Sequence, residues 1–159
     1  MVDRVVDRRM LLRGAGVAGA TAIGGTALAS SARADSDNDV TGSWVITHRD
    51  DPPAEPETGT SVIAFAEGGV FITQDFAPVA PGGVGAWSRE KGDRVKVNFW
   101  TGFPKEGGSP AVALNIKARG KVDHDSISGT YTFTVHPAKN LRKVLQRGKG
   151  KFKGHRLEA

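Results

Sequence analysis

The chain has 159 residues, 38% hydrophobic and 7% aromatic, a size and composition that suit one globular domain. It contains no cysteine, which excludes a disulfide framework and thiolate chemistry and leaves His48, His124, His136 and His155 as the side chains that titrate near neutrality. The formal charge of +5 argues for an anionic partner only if the basic residues belong to the folded part.

Residues 1–34 read as a targeting segment. Asp7-Arg8-Arg9-Met10-Leu11-Leu12-Arg13 is followed by a Gly- and Ala-rich run from Gly14 to Leu28 and by Ala32-Arg33-Ala34, a small-x-small cleavage pattern. The segment resembles a twin-arginine export signal, with Asp7 where Ser or Thr is more usual. That resemblance implies export of an already folded protein to the envelope or medium, with the twin-arginine translocase as a passing partner. Five glycines make the run too weakly apolar for the roughly 20-residue span of a membrane helix, so no membrane attachment is expected after cleavage. Residues 35–159 are then the mature domain. Losing Arg4, Arg8, Arg9, Arg13 and Arg33 with Asp3 and Asp7 lowers the net charge from +5 to +2, which weakens the general case for nucleic acid, and no nucleic-acid partner is expected.

The mature part breaks into short β-type runs, with no 11-residue window of helical spacing. Eight strands are expected, at 41–48, 60–67, 69–74, 84–90, 93–100, 111–122, 125–136 and 142–157. Between them stand the residues that tight turns need, such as Asp50-Asp51-Pro52-Pro53, Gly68-Gly69, Lys91-Gly92-Asp93 and Asp123-His124-Asp125. Short connections imply antiparallel neighbours. Val95, Val97 and Phe99 alternate with Arg94, Lys96 and Asn98, and Ile127, Gly129, Tyr131, Phe133 and Val135 alternate with four Ser or Thr residues, so each strand has a dry and a wet face. On the last strand Lys149, Lys151 and Lys153 share the wet face.

Gly-x-aromatic recurs at Gly42-Ser43-Trp44, Gly85-Ala86-Trp87, Gly129-Thr130-Tyr131 and Gly150-Lys151-Phe152. Inward glycines let a strand coil and let a neighbouring aromatic cover the gap, as a small closed barrel requires. The expected fold is therefore all-β, an eight-stranded antiparallel up-and-down barrel that removes sheet edges, with a two-sheet sandwich as the alternative. Gly42-x-Trp44 on the first strand, the eight-strand meander and an inward Arg156 on the last resemble the calycin group of lipocalins, fatty-acid-binding proteins and avidins. The lipocalin likeness implies that Trp44 lies at the closed end with Arg156 packed across it, as a structural latch. The chain lacks the Thr-Asp-Tyr turn and C-terminal helix of lipocalins, and the Arg-x-Tyr ending of fatty-acid-binding proteins that would receive a carboxylate.

No nucleophile triad, phosphate loop or metal-spaced cluster can be assembled, so no catalytic residue, metal or cofactor is expected. Asp123-His124-Asp125 sits at a hairpin tip and reads as a turn. His48 shares the parity of Trp44 and Ile46 and is expected to point inward near a barrel mouth. Asn98-Phe99-Trp100-Thr101-Gly102-Phe103-Pro104 runs aromatics into a Gly/Pro loop. The expected ligand-binding set is Trp87, Phe99, Tyr131 and Phe133, with Trp100, Phe103 and His48 at the mouth, taking a small apolar or amphiphilic molecule. Two other readings stand beside it: a cavity-shaped cyclase similar to allene oxide cyclases, and a surface module that binds an anionic envelope polymer through residues 149–153.

Overall fold

The computed structural model describes residues 39–52, 58–77, 79–104 and 111–158. The export signal read at 1–34 lies outside them. Eight strands follow one another: β1 (Gly42–Asp50), β2 (Thr58–Ala66), β3 (Val70–Ala77), β4 (Gly83–Arg89), β5 (Arg94–Phe103), β6 (Val112–Asp123), β7 (Ser126–Pro137) and β8 (Gln146–Arg156). Each pairs antiparallel with the next, and β8 pairs with β1 from Trp44 opposite Arg156 to Asp50 opposite Gly150, so the sheet is a closed up-and-down barrel. Among the described residues there is no α-helix, and a 3-10 turn at Glu67–Gly69 joins β2 to β3.

Period-two alternation builds the wall. Val95, Val97 and Phe103 are buried on β5, as are Leu114 and Val122 on β6 and Ile127, Phe133 and Val135 on β7, while the residues between them meet water or the outer side. Three differences from the sequence reading bear on the site, the first being that β3 runs on to Ala77 and so includes Asp75. β5 does not stop at residue 100, because Thr101, Gly102 and Phe103 continue the ladder opposite Leu114, Ala113 and Val112. β8 begins at Gln146 and not at 142, because Asn140 N–H and Lys143 N–H bond to the carbonyls of Pro137 and Asn140 and fold the intervening chain into turns.

The lower end, where β1 begins, is sealed by the chain that leads into it. Val40 and Trp44 have no exposed surface, and the Trp44 indole N–H donates to Val40 O at 2.9 Å. Arg156 reaches in from β8 with its guanidinium 4.4 Å from the Trp44 ring centroid. It donates to Thr41 O at 2.7 Å and to Asp39 O, and Nε lies 3.3 Å from Asp125. Gly42 starts β1 at φ +117°, a conformation that an L side chain rarely adopts, and a Cβ there would come within 3.2 Å of the Arg156 guanidinium. Thr41 and Asp39 lock the approach through bonds of 3.0 and 2.6 Å.

Candidate functional site

Above this seal the core is not continuous. One group of packed side chains, with Trp44, Phe65, Phe71, Val95 and Ile127, fills the lower half. A second, with Phe103, Val112, Leu114, Phe133 and Val135, fills the upper end on the β5–β7 side, and Ala80 from the β3–β4 connection is buried against it. That connection is anchored by Gln74 Nε2 donating to Ala80 O at 2.7 Å and Thr101 Oγ1 donating to Pro81 O at 2.9 Å. A cavity lies between the two groups. The space open to the centre of a water-sized sphere is about 90 Å³, inside an envelope of about 690 Å³ that includes its opening to solvent.

Its wall is mainly apolar, with Ile46, Ile63, Phe65, Phe71, Phe99 and Ile116 prominent. The polar members are His48, Ser61, Thr73, Asp75 and Tyr131, which lie on β1, β2, β3 and β7 toward the upper end. Strand register explains how they meet. Tyr131, Gly150 and Asp50 stand in one row across β7, β8 and β1. A Cβ on Gly150 would lie 2.4 Å from the Tyr131 phenol, so the absence of a side chain there is what lets the ring cross β8 and donate its O–H to Asp50. Asp50 is 2% exposed. The His48 ring lies across Gly59 of β2 and meets Tyr131 edge-on, with centroids 6.2 Å apart. Ser61 and Asp75 face each other across β2 and β3 beside a register shift at Thr60/Ser61, and the Ser61 hydroxyl donates to Asp75 Oδ1.

The expected binding residues fall into three groups. His48, Phe99 and Tyr131 line the cavity. Trp87, Phe103 and Phe133 face inward but away from it: Trp87 donates its indole N–H to Ala66 O at 2.8 Å and packs edge-on against Phe65, and the other two belong to the upper packed group. Trp100 is on the outer wall, 38% exposed and 5.3 Å from the His136 ring. Phe99 and Trp100 are neighbours on β5, so parity turns Phe99 inward and Trp100 outward, and the continuation of the strand through Phe103 leaves no turn at which Trp100 could swing to the mouth. His136 is buried on that outer side, bonded to Thr134 at 2.7 Å and to Lys143 O at 3.1 Å. At the β6–β7 hairpin, His124 has φ 51° and bonds to Asp123 at 3.0 Å, and both side chains are mostly exposed. No group of three or more metal-ligating side chains occurs among the described residues.

Sequence reasoning missed Asp75, Ser61, Thr73 and Asp50. The signal was present for three of them: Ser61 precedes Ile63 and Phe65 at period two, and Thr73 and Asp75 continue the parity of Phe71. Ending the third strand at 74 discarded Asp75.

No protein-family model matches this chain, and no curated protein matches it. A solved structure similar to it is that of Rv2717c from M. tuberculosis, at 16% identity and a TM-score of 0.41, over 77% of this chain and 94% of that one. A likeness of that size says nothing of function here.

Proposed function

We propose that the barrel is an exported calycin-type binding protein that takes a small amphiphilic molecule into the cavity between its two packed groups. The observation that carries the reading is the cavity itself: apolar walls, with polar side chains gathered on one side, are the arrangement that holds an apolar body and orients a polar end. The order of the wall supports it, since Tyr131 and Ser61 are each held by a hydrogen bond before any ligand arrives.

Ala118 of β6 lies on the wall, and Ala118→Phe places a ring in the space. Native mass spectrometry after incubation with a cell extract is expected to find a small molecule retained by the unchanged protein and lost in Ala118→Phe, with cooperative unfolding preserved in both. Equal retention by the two proteins sinks the binding reading.

Export rests on Arg8 and Arg9. Changing both to Lys is expected to hold the full chain inside the cell while leaving its urea midpoint unchanged. Undiminished export, followed by fractionation and immunoblotting, overturns the twin-arginine assignment.

A further inference from the structure

We infer that the ligand of this cavity is a compact organic cation, a protonated amine with a small apolar body, and that Asp75 receives its charge. The inference rests on the binding reading and goes further by naming the ligand's chemistry. Size is limited by the free space, about 90 Å³ open to the centre of a water-sized sphere, which suits a compact body and not a long chain.

Charge comes from which lone pairs and protons remain available. Tyr131 spends its O–H on Asp50 and Ser61 spends its O–H on Asp75, so these two hydroxyls are not left to donate to an incoming acceptor, and that of Thr73 is the hydroxyl donor that remains on the wall. Asp75 uses Oδ1 for Ser61, and among the described residues no lysine, arginine or histidine pairs with its carboxylate. It is half-buried on the cavity wall. A carboxylate so placed, partly withdrawn from water, attracts a cation more strongly than a fully exposed one.

Two arginines lie at the lower end, away from this wall. Arg156 is committed at the lower end to Trp44, Thr41, Asp39 and Asp125, and Arg89 lies 3.8 Å from Asp39. His48 is the remaining basic side chain on the wall. The exposed Lys149, Lys151 and Lys153 of β8 point the other way, into solvent that screens them. A fatty carboxylate would therefore meet Asp75 with no arginine or lysine to receive it. An ammonium would meet that carboxylate and the rings of Phe99, Phe71 and Tyr131, whose faces also favour cations.

Three probes of one shape separate the possibilities: 2-phenylethylammonium, 2-phenylethanol and phenylacetate, titrated calorimetrically into the full chain at pH 7 and 0.15 M salt. The ammonium is expected to bind at least about tenfold more tightly than the alcohol, and the carboxylate most weakly. Asp75→Asn keeps an oxygen to accept from Ser61 and removes the charge, so it should cost the ammonium about tenfold and change the alcohol less than about twofold. If the three probes bind alike, or phenylacetate binds best, the amine assignment falls while the cavity remains a binding site. If no probe binds to the unchanged protein, the amine assignment falls, and the binding reading is decided by the retention experiment with Ala118→Phe. The ranking in the unchanged protein decides the matter even where Asp75→Asn folds poorly.

Discussion

Trp44→Ala is expected to destabilise the protein by about 3–5 kcal/mol, because the indole is fully buried at the sealed end and its removal leaves a space that strands pinned by their neighbours cannot close. Arg156→Ala should cost about 2 kcal/mol, through the lost ring contact and the charge-assisted bonds to Thr41 O and Asp39 O. These losses should not add. With the indole gone the guanidinium has no ring to cover, and with the guanidinium gone the 39–41 segment that supplies Trp44's acceptor at Val40 loosens. Urea midpoints of the two single variants and the double variant should therefore show coupling of at least about 0.5 kcal/mol. Additive losses would mean that the seal is not one cooperative unit, and that the β1–β8 closure does not depend on it.

A single methyl group on β8 should have an effect of similar order. In Gly150→Ala the new Cβ would sit 2.4 Å from Arg49 O and equally close to the Tyr131 phenol, closer than real Cβ contacts come. Moving the phenol alone does not relieve the clash, since Arg49 O is backbone of the closing β1 strand. The expected cost is about 2–3 kcal/mol, with the Tyr131–Asp50 bond broken and ligand retention lost along with it. Gly102→Ala is the control, because its Cβ would meet Val112 O at 3.6 Å, an ordinary contact, and its urea midpoint should shift little. Equal shifts for the two glycines would show that the cost is general to glycine in this barrel and not due to the phenol crossing β8.

These two positions differ in how far the sequence alone revealed them. Trp44 and Arg156 were legible because each sits at the end of a strand, in the parity of its neighbours, and because the motif around Trp44 is local. Gly150 was legible as an inward glycine. That it is crossed by Tyr131 of β7, and not by Phe152 of its own strand, follows from the register between β7 and β8, where Tyr131 stands opposite Gly150.

The amino-acid sequence by itself determined the number of strands, their order and the face that most side chains take. Turn residues and period-two alternation are properties of adjacent residues, and short connections leave antiparallel pairing of neighbours as the economical arrangement. Only the tertiary structure decided that the sheet closes as a barrel and not a sandwich, that the interior keeps a cavity, and that Ser61, Asp75, His48 and Tyr131 share its wall. Closure depends on the β1–β8 register across more than a hundred residues, and the shape of the interior depends on which ring lies over which glycine. The position of Trp100 shows the same division at short range: its distance from Phe99 in the chain is one residue, and continued pairing of β5 with β6 puts the two on opposite sides of the wall.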